Sequence, residues 1–289
     1  MTLDNVNQWG VPSKVKFKAQ SFYQIMDIRT LCFTETIHSS YSVKKDMKRT
    51  LMFALPIALT GCAHMDIDFG HLGGSQGTKG NGKVQEVSRT VSEFDKVEVG
   101  SAFEVEASEG PLSPVKVSTD SNLLGQIKTE VKNRTLKIWV DGSMSTSSPQ
   151  KIKFTTPKIN SLVASGATGT NLKLTSNHSF KLKVSGASRV TVDGKVTSLD
   201  CELSGSSQAK FGNLTMSRLD ASLSGASVLK INGSADTVNA DLSGASVIEG
   251  GLSGKNAKVS LSGASNASFG PFTNVSKDLS GSSNVSFGK

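Results

Sequence analysis

Aromatic residues are scarce in this chain of 289 residues, which has 2 Trp, 2 Tyr and 13 Phe. Trp9, Tyr23 and Tyr41 fall near the start, so residues 62–289 keep Trp139 and no Tyr. That leaves little for stacking against sugars or bases. Long hydrophobic runs are also missing. The longest, Leu51–Leu59, is nine residues with a proline inside, too short to cross ~30 Å of hydrocarbon as a helix. A polytopic helical membrane protein is excluded. At 36% the hydrophobic content is low for an ordinary helical enzyme. The net charge is +8, but residues 1–61 hold eight of the cations and four of the anions, leaving an excess of four beyond them. With one Trp, that is no footprint for nucleic acid, and none is expected as a partner.

What is present near the start reads as an address. Lys48 and Arg49 precede the apolar run, and Leu59-Thr60-Gly61-Cys62 follows it. A cationic start, a brief apolar centre and small residues at the end form a secretory signal. The LTGC end resembles the bacterial lipobox, whose cysteine carries the acyl chains, palmitate among them, and becomes the mature N-terminus. Cys62 is therefore the expected lipid attachment site and a membrane the expected partner, with the polypeptide outside the bilayer. Ala63, in place of an Asp, resembles the outer-membrane class of such lipoproteins, on the periplasmic side or at the cell surface. The signal occupies 47–61, and residues 1–46 are read as a mis-set start or a non-structural extension. Residues 62–83 are a Gly-rich tether. With Cys62 acylated and Cys32 outside the mature chain, Cys201 is the remaining thiol and no internal disulfide is expected.

The strongest signal is repetition. Ser-Gly recurs at Gly166, Gly186, Gly205, Gly225, Gly244, Gly263 and Gly281, in steps of 18 to 20 residues. Two residues before that glycine stand Val184, Leu203, Leu223, Leu242, Leu261 and Leu279. Apolar residues also recur four and six before it (Leu182, Cys201, Val259; Phe180, Leu199, Val238) and six after it (Leu172, Val192, Phe211, Ile231, with Gly250 an exception). Between these columns lie Lys, Asp, Asn, Ser and Thr, so period-two alternation places one set inside and the other in water. Each copy supplies two or more short strands around a Gly-centred bend and cannot bury its own inner face. Stacked copies bury it together, ~4.8 Å apart. A leucine-rich repeat would need a helical half that is missing here. The reading is all-β: a single-stranded parallel β-helix of about 19 residues per turn, right-handed by the general preference of such crossovers. Seven turns fill 161–289. Residues 84–160 form early β-turns and an irregular N-terminal cap, with a helical turn expected within Asn122–Val131. Leu252-Ser253-Gly254, out of phase, is expected to be a turn.

Phe94-Asp95-Lys96-Val97-Glu98-Val99, Asn122-Leu123-Leu124, Leu136-Lys137-Ile138 and the recurrent LSGAS elements together resemble the head-GIN family of auto-transporter adhesin head domains, over roughly 90–288. The resemblance implies a bacterial envelope protein with a β-helical fold, an adhesive or structural role and no established reaction. It supplies no functional residues. No translocating barrel is expected from the residues after the repeats, a departure from the auto-transporter pattern.

Motifs for chemistry are few. Gly77-(x4)-Gly82-Lys83 lacks the Ser/Thr of a phosphate loop. The repeat serines lack the final glycine of a hydrolase elbow and read as corner residues whose hydroxyls bond between turns. His64, Asp66, Asp68 and His71 sit in the tether with nothing to fix a metal geometry. No metal and no cofactor are expected. One enzyme alternative stands: Asp200 and Asp220, each five residues before the repeat glycine, lie on adjacent turns about 5 Å apart, a spacing used by retaining glycosidases, with Glu202 on the same face. A glycan hydrolase or lyase would use these three. The competing reading is a solvated charge ladder, since Lys181 and Lys258 share the column. The main expectation is non-catalytic, with envelope glycan or another envelope protein as partner, and with self-association through the open C-terminal edge as a further alternative.

Overall fold

A computed structural model of the chain describes residues 77–288. Cys62 as the expected attachment site, the expected signal segment and His64–His71 lie outside the described residues. All the regular structure described is β, and most of it is one sheet of 17 strands wound as a parallel solenoid of about seven turns.

The repeat glycines make the tight bend. Each lies in the left-handed region, with φ between +70° and +82°, which a side chain disfavours. Around the rest of each central turn the backbone runs as one long bent strand: Gly169–Val184, Arg189–Leu203, Gln208–Leu223 and Val228–Leu242. Two or more short strands per turn were expected. The second corner needs no break because register shifts, between Leu174 and His178 and between Val192 and Ser198, bend the strand while most ladder bonds persist. Ser253-Gly254, expected as a turn, instead opens the strand Ser253–Leu261.

The inner columns stack in register. Leu203 pairs with Leu223, Leu223 with Leu242 and Leu242 with Leu261, all of them buried. Cys201, Ala221, Ala240 and Val259 form a second line, and Leu199, Leu219, Val238 and Ala257 a third. A column of hydroxyls, Thr168, Ser188, Ser207, Ser227, Ser246 and Ser265, is buried as well. These serve the bend more than the stack. Ser227 Oγ donates to Ser224 O at 2.8 Å and Ser246 Oγ to Ser243 O at 2.7 Å, three residues back in the same turn. Contacts from Ser246 Oγ to the preceding turn are longer, 3.5 Å to Gly225 O. Thr168 and Ser265 make the same bond to Ser165 O and Ser262 O, so these four hydroxyls each pair a carbonyl of the bend, whereas Ser207 Oγ reaches only 3.4 Å to Val184 O and Ser227 Oγ.

Before the repeats, the order in space departs from the order in the chain. Val99-Gly100-Ser101-Ala102-Phe103 is a further copy of the bend, with Ser101 at φ 87° where the later copies have glycine. Its strands Lys96–Val99 and Glu104–Glu109 pair in parallel with Ser161–Ala164 and with the start of Gly169–Val184. On their other side lie Thr135–Val140 and Lys151–Thr156, also parallel. The chain thus leaves the stack after Glu109, builds a coil on the far side, and returns past its own earlier coil at Ser161. Antiparallel strands cover the outer edge of that far coil. Ile127–Lys132 lies along Thr135–Val140, and Val115–Asp120 along Lys151–Thr156. Val84–Arg89 then covers Val115–Asp120. Ordinary antiparallel pairing protects the edge there. The helical turn expected within Asn122–Val131 is instead a pair of tight turns, Leu123 N to Asp120 O and Gln126 N to Leu123 O, leading into a strand. The last residues of the expected tether are docked too: Thr78–Lys79 pairs with Met144–Ser145.

Glu109 holds the return. Its side chain is buried and accepts hydrogen bonds from the backbone N–H groups of Ile159 (3.0 Å), Thr175 (2.8 Å) and Ser176 (2.7 Å). His178 Nε2 lies 3.6 Å from Glu109 Oε1 and 2.8 Å from Ile159 O. Burial pushes the Glu109 carboxyl up, but these N–H groups together outweigh it and hold it below the usual carboxylate range. A depressed folded-state value means that its stabilisation is fully present above the unfolded value, about 4.3, and is lost as pH falls through the folded one. Glu109→Gln should cost roughly 1–3 kcal/mol at pH 7, because an amide NH2 replaces one acceptor oxygen. In urea titrations from pH 7 to pH 3, the gap between wild type and variant should narrow toward acid. A gap independent of pH would show that the charge of Glu109 is not what matters.

Candidate functional site

The outer columns form the exposed polar face of the stack. Five residues before the glycine, Lys181, Asp200, Asp220, Asn239 and Lys258 follow one another in register. Asp200 and Asp220 are direct partners on adjacent coils. Two positions on, Lys183, Glu202, Ser222, Asp241, Ser260 and Asp278 make a parallel column. Strand alternation sends both columns outward, and the inner lines of Leu and Ala hold them rigid.

Ion pairs set the electrostatics of the three carboxylates. Lys181 Nζ lies 2.6 Å from Asp200 Oδ2 and 3.0 Å from Glu202 Oε1, while Lys183 Nζ meets Glu202 Oε2 at 2.5 Å. Lys183 and then Lys181 hold the Glu202 carboxyl below its ordinary value. Arg218 grips Asp220 through both oxygens, at 2.5 Å and 2.9 Å, and Asn239 Nδ2 donates to it at 2.8 Å. The Arg218 guanidinium is the main cause of a lowered Asp220 carboxyl, with partial burial opposing it. Two carboxylates whose proton affinities diverge are the mark of an acid and base pair in glycoside hydrolysis. Asp220 and Glu202 shift the same way, toward the ionised form, so neither is tuned to donate a proton. Arg218 was the partner missed in the sequence. Its signal was available, since a residue two before Asp220 in a strand shares its face.

A shallow groove of about 730 Å³ runs beside these columns, lined by Lys183, Glu202, Ser222, Asp241, Ser260 and Asp278 among others. It crosses successive coils rather than closing around a small ligand, so it presents carboxylates and hydroxyls at repeated spacing to something extended. Cys201 offers no nucleophile, because it points into the core and burial pushes its thiol well above the ordinary value. Among the described residues, no group of three or more His, Cys, Asp or Glu is arranged to hold a metal ion.

The family model described as "Putative auto-transporter adhesin, head GIN domain" matches residues 93–288. Several solved structures share the fold. A putative adhesin from Bacteroides fragilis is 18% identical with a TM-score of 0.64, covering 73% of this chain and 100% of its own. A putative lipid binding protein from Parabacteroides distasonis is 18% identical with a TM-score of 0.63, covering 74% and 100%. A putative adhesin from Parabacteroides merdae is 18% identical with a TM-score of 0.61, again covering 74% and 100%. At such identities these structures establish the fold alone. No curated protein matches the chain. Over residues 93–288, through coil after coil of the same glycine bend, this chain belongs to the head GIN domain family of auto-transporter adhesins.

Proposed function

We propose that the protein is a non-catalytic, lipid-anchored protein of the bacterial envelope, held at the outer membrane through Cys62, whose solenoid presents a rigid adhesive or structural face. The carrying observation is the pair of outer columns. Polar side chains repeat in register along the groove, while Asp220 and Glu202 are both held ionised by cations. Such a ladder suits many weak contacts to an extended partner, envelope glycan or another envelope protein, better than acid–base chemistry. Family membership supports the same reading, because the family is described as an adhesin head.

The anchor and the face are tested separately. In a Gram-negative host, labelled palmitate should be incorporated into the wild-type chain, and Cys62→Ser should abolish incorporation and move the protein into the soluble fraction. A variant that stays labelled removes the anchor. Beads coated with the wild-type chain should retain envelope polysaccharide or envelope protein fractions, and Asp241→Lys, on the groove, should lower retention severalfold without changing the circular dichroism. Equal retention by the variant removes the face as the binding surface.

A further inference from the structure

The last coil departs from the repeat at one inner position. Along the line four residues before the glycine, Leu182, Cys201, Ala221, Ala240 and Val259 are all buried, and the next residue in register is Lys277. Its neighbours in the strand Phe272–Leu279 keep the apolar pattern: Val275 continues the line from Ala257, and Leu279 that from Leu261. Both are left exposed at this end of the stack, 39% and 44%. Among the described residues, no strand pairs with the outer edge of Phe272–Leu279 or of Asn284–Phe287. Phe269, Phe272 and Phe287 cluster beside it, with ring centroids 5.5–6.0 Å apart. The Lys277 ammonium lies 5.1 Å from the centre of the Phe287 ring.

An open edge with Val275, Leu279 and three Phe at hand is a template for a second copy of the same edge. Consider two copies meeting antiparallel about a two-fold axis. The register that sets Val275 against Leu279 of the other copy, and so closes both apolar patches, also sets Lys277 against Lys277. Two ammonium groups would then be buried face to face with apolar neighbours on either side, which costs more than the apolar contact returns. Shifting the register by one residue turns the inner faces outward. A shift of two residues leaves Lys277 against Val275 or Leu279. We infer that Lys277 is a gatekeeper, a charge in the core line of the terminal coil that keeps this end of the solenoid from pairing with a second copy. The cation–π contact with Phe287 offers the ammonium a place at the rim, so the coil itself tolerates the charge.

The inference does not depend on the anchoring or adhesive reading. Sedimentation velocity of the full chain across a concentration series tests it, with Lys277→Val, Lys277→Thr and Lys258→Val compared. Lys258 is the control, a lysine on the outer face of the preceding coil. Wild type and Lys258→Val should stay monomeric. Lys277→Val should self-associate at least roughly tenfold more tightly, with Lys277→Thr between, and adding Val275→Asp to Lys277→Val should reverse the effect. The idea is overturned if Lys277→Val and Lys277→Thr sediment like wild type, if wild type already associates as strongly as they do, or if Lys258→Val associates equally.

Discussion

Leu223→Asp should unfold the repeat domain, while Lys230→Asp, seven residues on, should leave it folded. Leu223 is 2% exposed and stands in register between Leu203 and Leu242. Truncating a buried leucine costs about 2–5 kcal/mol, and placing an unpaired carboxylate there adds a desolvation cost of several more. Together these approach the whole stability of a typical domain, about 5–15 kcal/mol. A solenoid has no separate core to fall back on, since each coil is held only by its neighbours and loss of one central coil removes support on both sides. Lys230, by contrast, is on the outer face and loses an ion pair to Glu249, 2.8 Å away with both side chains about half exposed. Exposed pairs of that kind are worth about 0–1 kcal/mol, so the reversal of charge should shift the urea midpoint only slightly. Far-ultraviolet circular dichroism at 25 °C decides between them. Equal loss of structure in the two variants would mean that Leu223 and Lys230 are not on the inner and the outer face of the stack.

The stack was legible in the sequence because its physics is repeated. Every inner line shows the same choice made many times, as in Leu203, Leu223, Leu242 and Leu261, so chance alternation averages out and the period survives. The juxtaposition of Asp200 and Asp220 followed from the same arithmetic. What was hidden was whatever happens once. The extra bend at Ser101 was overlooked because glycine and serine are transposed, Gly100-Ser101 for Ser165-Gly166, and the bend tolerates a non-glycine at φ 87° there. The return of the chain past its own coil depends on pairings such as Val97 with Leu162, 65 residues on, and one long-range pairing leaves no period. The ends of the expected tether and cap were obscured for a related reason: Thr78–Lys79 docks onto Met144–Ser145, and no local pattern announces a partner so distant. At the candidate site, column position showed which carboxylates are neighbours. Their ionisation depends on which cation reaches which oxygen, as Arg218 does to Asp220, and that is settled by side-chain geometry.

Gly225→Ala should be strongly destabilising, though less so than a charge in the core, even though it adds only one methyl group at the surface. Two independent costs coincide there. The residue sits at φ +75°, where an L side chain costs about 1–2 kcal/mol. A Cβ on it would also lie 2.5 Å from the carbonyl oxygen of Gly205, its counterpart in the preceding coil. That obstacle is backbone, not the end of a flexible side chain, and the same carbonyl accepts the Ala226 N–H at 2.8 Å. Relief requires the corner to lift, which weakens that hydrogen bond and the one from Ser224 N to Leu203 O, each worth about 1 kcal/mol net. The total is roughly 3 kcal/mol or more. Gly212→Ala provides the contrast: its φ is unremarkable and the nearest atom to a new Cβ is 3.7 Å away, so reduced freedom of the unfolded chain should leave stability unchanged or slightly raised. Gly281→Ala incurs both costs at the end of the stack, with φ at +70°. It faces the same clash with Gly263 O, but it lies in the terminal coil, where fraying releases the strain at the expense of one coil rather than the stack. The expected order of urea midpoints is therefore Gly225→Ala lowest, Gly281→Ala intermediate and Gly212→Ala at or above wild type. If Gly225→Ala matched Gly212→Ala, the repeat glycines would be there for some reason other than the close approach of one corner to the next.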